Sequence, residues 1–109
     1  MKVENQICTI EQARKLKALG ITQGVAYFYF YQDEKLKESG DVRVLSQAFD
    51  SRCENCFDAF NVAELGEMLD YGTFCYRKRE AIHRANCLIM DLEMNITTPE
   101  KVNDKIINS

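Results

Sequence analysis

The stretch Val25-Ala26-Tyr27-Phe28-Tyr29-Phe30-Tyr31 constrains the fold of this chain more than any other. Aromatic and β-branched side chains fit a pleated, half-buried surface, and a period of two sends Phe28 and Phe30 to one face and Tyr27, Tyr29 and Tyr31 to the other. The run therefore predicts a strand. A polar connection, residues 32–40, leads to Val42-Arg43-Val44-Leu45-Ser46-Gln47-Ala48-Phe49, whose composition predicts a second strand antiparallel to the first. Residues 50–59 read as irregular and carry both thiols of Cys53-Glu54-Asn55-Cys56, and Thr73-Phe74-Cys75-Tyr76 is a candidate third strand.

Helices are announced by their ends. Thr9 followed by Gln12 has the form of a capping box, and Ile10, Ala13, Leu16 and Leu19 recur at helical spacing before Gly20 and Ile21 supply a left-handed stop, which predicts a helix over about residues 10–19. Asn61 and Glu64 form a second box, with Phe60 placed to staple onto Leu65 and with Val62, Leu65, Met68 and Leu69 as the buried side. Gly66 in its middle marks a close approach. A longer helix is predicted over about residues 78–93, with Ala81, Ile82, Ala85, Leu88, Ile89 and Leu92 as its apolar stripe. Thr98-Pro99 opens a last one, with Val102 and Ile106 facing inward.

With 109 residues, 46% apolar and 28% charged, and no linker or repeat, the chain reads as one domain over residues 1–109. The predicted class is α+β: a small antiparallel sheet of two or three strands packed against three or four helices, in the order α-β-β-α-(β)-α-α. No apolar run reaches the length of a signal sequence or a membrane span, so the expectation is a cytoplasmic protein with no membrane partner. Five cysteines, Cys8, Cys53, Cys56, Cys75 and Cys87, are an odd number, and in a reducing compartment the expectation is free thiols acting as small hydrophobes.

Several phrases, Cys8-Thr9-Ile10-Glu11-Gln12 with Leu19-Gly20-Ile21, Phe60-Asn61-Val62-Ala63-Glu64-Leu65-Gly66-Glu67-Met68-Leu69, and Ile96-Thr97-Thr98-Pro99-Glu100, resemble small uncharacterised bacterial proteins associated with prophages and mobile elements. The resemblance covers about half of the chain. It implies a mobile-element setting and carries over no activity and no site residue.

The most motif-like chemistry is the Cys53-x-x-Cys56 pair, since two thiolates so spaced can reach one tetrahedral zinc ion at about 2.3 Å. His83 and Cys87, four apart on the long helix, would complete a Cys₃His site, with Cys75 in reserve and with Glu54 and Asp58 adding negative charge that attracts a cation. Neither helical ligand sits in a second knuckle, so the competing reading is two incidental loop thiols. A redox role for the pair is disfavoured by Glu54 between the thiols and by the assignment of the single proline, Pro99, to a helix start.

Nucleophilic catalysis would need His83, the single histidine, and no nucleophile elbow accompanies it. The five glycines are isolated and form no phosphate loop. No enzyme class has its residues here, and no catalytic residue or resident cofactor is expected.

The tyrosine strand has a faint likeness to the aromatic strand of RNA-recognition motifs, but Gln23 stands where a basic residue belongs. The net charge of −3 also disfavours phosphate binding, despite Arg77-Lys78-Arg79 and Arg84. Three tyrosines on alternate positions fit a protein contact better, because a phenol combines a large apolar body with a polar tip. The expectation is a small accessory protein that offers Tyr27, Tyr29 and Tyr31 to a protein partner or to a second copy of itself. A zinc-binding module on Cys53, Cys56, His83 and Cys87 is the first alternative, and a nucleic-acid module on the tyrosine strand the second.

Overall fold

A computed structural model describes residues 6–46, 54–69 and 80–107. The elements run α1 (Ile10–Ala18), β1 (Phe28–Tyr31), α2 (Glu34–Ser39), β2 (Arg43–Ser46), β3 (Cys56–Ala59), α3 (Val62–Met68), α4 (Ala81–Glu93) and α5 (Pro99–Ile107). The protein is α+β, with a three-stranded antiparallel sheet in the order β2-β1-β3. The predicted class and the order of the main helices and strands are observed.

Two details differ from expectation. The polar connection between the first two strands carries a helical turn, α2, whose Asp33 caps Leu36 N–H at 2.8 Å and which ends at Gly40 in the left-handed region, φ 77°. The segment read as irregular contributes β3, which pairs with the far edge of β1. The candidate strand at Thr73–Tyr76 lies outside the described residues.

Both capping boxes form. Gln12 N–H donates to Thr9 Oγ1 at 3.2 Å while Thr9 N–H donates to Gln12 Oε1 at 3.0 Å, and Asn61 and Glu64 exchange the same pair of bonds at 2.8 Å each. The α1 box also has a tertiary role: Gln12 Nε2 donates to Ile82 O at 2.9 Å and Asn86 Oδ1 at 2.7 Å, tying α1 to α4.

One glycine is required by its backbone conformation, and a second marks a close approach. Gly20 sits at φ 100°, where an added Cβ would approach Pro99 Cβ at 3.3 Å, and Asn103 on α5 clamps the same corner by donating to Gly20 O and accepting from Thr22 N–H. Gly66 is the close approach that its mid-helix position predicts. Arg84 crosses α3 there to donate to Val62 O at 2.7 Å, and a Cβ on Gly66 would come within 2.6 Å of its Nη1.

One apolar cluster holds these elements together, with Leu16, Phe60, Leu65, Leu88 and Val102 at its fully buried centre. Among the described residues the sheet contributes one face. Phe28, Phe30, Val44, Phe57 and Ala59 turn towards this cluster and towards α1, whose Arg14 and Lys17 lie over the Phe57 ring at 5.3 and 4.8 Å. No helix among the described residues is long and apolar enough to cross a membrane.

Candidate functional site

The opposite sheet face is where the sequence places its tyrosines. In the antiparallel register Tyr29 stands opposite Leu45 and Asp58, and Tyr31 opposite Arg43 and Cys56, so these residues share one face. Tyr29 and Tyr31 are half-buried, Leu45 is 41% exposed, and Tyr31 Oη donates to Asp33 Oδ2 at 3.3 Å. Among the described residues no helix packs over Tyr29, Leu45 and Arg43 as α1 packs over Phe57.

Tyr27, the first of the expected trio, stands just outside the paired strand. It precedes β1 at a bend, is 66% exposed, and its ring meets the Phe28 ring edge-on at 4.8 Å. The strand ladder begins at Phe28, and Tyr27 N–H donates to Glu64 Oε2 at 2.9 Å.

That bend is organised by two carboxylates. Asp58 is 1% exposed, and its Oδ2 accepts from the successive N–H groups of Gly24, Val25 and Ala26 at 2.7, 2.9 and 3.1 Å. Gly24 at φ 90° lets those three groups converge, forming the kind of concavity that takes an anion. Here the anion belongs to the protein. Asp58 Oδ2 is directed at backbone donors, and Gln23 Oε1 closes the motif by accepting from Asp58 N–H at 2.9 Å.

Glu64 carries a second duty beyond its capping box, since its two oxygens hold Asn61 N–H and Tyr27 N–H. Burial pushes its carboxyl above the ordinary value and the nearby Asp58 charge adds to this, while the two backbone donors pull it back. It lines a cleft of about 390 Å³ together with Val25, Phe60, Glu67, Met68 and Ile106. Sequence reasoning did not find this cleft, because its walls come from the β1 approach, α3 and α5.

Of the four expected zinc ligands, the three among the described residues, Cys56, His83 and Cys87, form no group that could hold a metal ion. Cys53 lies outside the described residues. Cys56 is a half-buried thiol on β3, whereas His83 is an exposed residue of α4 whose Nε2 lies 3.1 Å from Glu80 Oε2. Cys87 is buried and disulfide-bonded, so it offers no thiolate to a metal and departs from the expectation of free thiols throughout. Among the described residues no group of three or more His, Cys, Asp or Glu side chains is arranged to hold a metal ion.

Cys8 does meet the expectation of a small buried hydrophobe. It is 2% exposed, and burial pushes its thiol up to about 12 from an ordinary 9.0. The native state therefore holds the proton more tightly than the unfolded chain does. Its contribution to stability is complete below pH 9.0 and is lost as pH rises towards about 12. A thiol-reactive disulfide reagent at pH 8 should leave Cys8 unmodified in the folded protein and modify it once urea is added. Rapid native labelling of Cys8, read by peptide mass, would contradict its burial.

The described residues thus define an α+β fold with a three-stranded antiparallel sheet and a carboxylate-lined cleft. Comparison with protein-family models, with curated proteins and with solved structures finds no match.

Proposed function

We propose that this chain is a small accessory protein that acts by binding rather than by catalysis, and that the outer sheet face is where a second copy docks. The observation that carries the reading is the juxtaposition of Tyr29, Tyr31 and Leu45 on a face that, among the described residues, no helix covers. Aromatic residues beside one arginine, here Arg43, form the composition that protein contacts favour at their centres. The net charge of −3 is small enough that two copies repel weakly. β2 adds a motive of its own, because it is an edge strand with a row of backbone groups not used by β1. The resemblance noted in the sequence adds a mobile-element setting to this reading.

Light scattering over a concentration series tests it. The wild-type chain is expected to pass from monomer to dimer, and Leu45→Lys, a charge at an exposed edge position, to weaken the dimer by about tenfold or more. A wild-type chain that stays monomeric across the series, or a dimer indifferent to Leu45→Lys, would sink the reading.

A further inference from the structure

The cleft between α3, α5 and the approach to β1 has the size and lining of a small-ligand site. Its volume of about 390 Å³ falls within the range of such sites, roughly 300–1,000 Å³. Among the described residues, Val25, Phe60, Met68 and Ile106 make its walls apolar, and the polar groups that break them are two carboxylates of one sign, Glu64 and Glu67. Spaced by three residues on α3, these project from the same helix face.

Neither carboxylate is neutralised by a cation among the described residues. Lys15 pairs with Glu93, and His83 Nε2 lies beside Glu80, both on other surfaces. Arg84 and Lys105, which approach α3, direct donors to its backbone at Val62 O and Met68 O. Glu64 gives each oxygen to one N–H and keeps further acceptor capacity, and its partial burial makes an ionised carboxyl there costly without a cation. Low-dielectric walls around unneutralised negative charge concentrate cations and repel anions.

The donor set selects among cations. A hard divalent ion takes six or more oxygen ligands in the case of calcium, and near-octahedral coordination in the case of magnesium. Two carboxylates set among methionine, valine, isoleucine and phenylalanine do not supply that. An alkylammonium ion fits both parts, its stem against the apolar walls and its N–H donors on the carboxylates. We infer that this cleft binds a small organic ammonium ion carried on an apolar stem, held by Glu64 and Glu67 against Val25, Met68 and Ile106. The site is separate from the outer sheet face, so the dimer reading and this one stand or fall independently.

The test is a titration of the uniformly labelled full-length chain, followed by amide chemical shifts, with n-butylammonium chloride as probe and n-butanol and sodium butyrate as controls. Saturable shifts at the Val25, Glu64, Glu67 and Met68 amides are expected with butylammonium, with a Kd on the order of millimolar for so few contact atoms. Glu67→Gln removes an exposed carboxylate that holds no backbone group, so it should fold normally and weaken binding about three- to tenfold. Nα-acetyl-lysine methylamide separates the sources: tighter binding than butylammonium assigns the ammonium to a lysine of a protein, weaker binding to a free amine, and either sustains the ammonium chemistry. Equal binding of butanol, no effect of Glu67→Gln, or no saturable shift at these amides would each overturn the inference.

Discussion

Asp58→Ala is expected to destabilise the protein by about 3–5 kcal/mol, a large part of the roughly 5–15 kcal/mol that holds a domain together. The side chain is 1% exposed and one oxygen satisfies three consecutive backbone donors. Alanine leaves the N–H groups of Gly24, Val25 and Ala26 without that acceptor, at about 1–3 kcal/mol for each one that stays buried, less what water recovers where the bend opens. Asp58→Asn separates charge from geometry. An amide oxygen in the same place still accepts three bonds, but without the charge that makes them about twice as strong, so its cost should fall near 1–2 kcal/mol. Urea denaturation with an unchanged m-value measures both, and hydrogen exchange should show the Gly24, Val25 and Ala26 amides losing protection first. A cost for Asp58→Ala below about 1 kcal/mol would mean that the bend is held by other contacts.

The Asp58 motif also shows where reading the sequence stopped short. Thr9 with Gln12 and Asn61 with Glu64 are legible because a capping box closes over three residues, and the alternation of Phe28 and Phe30 is legible because a strand writes its period locally. Asp58 bonds to residues 32–34 positions away. In the short run Cys-Phe-Asp-Ala its charge breaks the apolar pattern that would have declared β3, and the ladder to β1 that stabilises the strand is likewise non-local. α2 went unread for the opposite reason. Its Asp33 cap and Gly40 stop are written plainly, but it buries no residue, so no apolar stripe accompanied them.

The candidate surfaces divide in the same way. Tyr29 and Tyr31 follow from alternation alone, whereas the bond from Tyr27 N–H to a side chain 37 residues away could not be read locally. The capping function of Glu64 is a local statement, but its place in a cleft is a tertiary one that needs Ile106 from α5 and Val25 from the bend. A spacing such as Cys53-x-x-Cys56 with His83 and Cys87 proposes ligands without the vectors that would make them converge. In the structure His83 is exposed and Cys87 is buried, although four residues on a helix place their Cα atoms along one side.

Phe60→Ala is expected to cost about 3–5 kcal/mol, the range for removing a fully buried ring from a core. Phe60 is 0% exposed and occupies the position before the α3 cap, where it packs within the same cluster as Leu65, also 0% exposed. Its backbone O accepts from Cys8 N–H at 3.0 Å, a bond that truncation leaves in place, so the loss is one of packing. A fall of more than about 10 °C in the thermal midpoint follows from that energy for a domain of this size. Phe60→Leu retains a branched apolar side chain in the space and should recover more than half of the loss. Asn61→Ala, which removes the cap and spares the ring, should cost only about 1 kcal/mol, so the ordering Phe60→Ala, Phe60→Leu, Asn61→Ala separates the core contribution of this junction from its capping contribution. Because Phe60 also lines the carboxylate cleft, its truncation enlarges that cleft from below. Partial recovery of the midpoint on adding a saturating apolar ligand such as benzene would place the lost volume there, as expected when a dry cavity is refilled. Equal midpoints for Phe60→Ala and Asn61→Ala would show that the ring contributes no more than the cap.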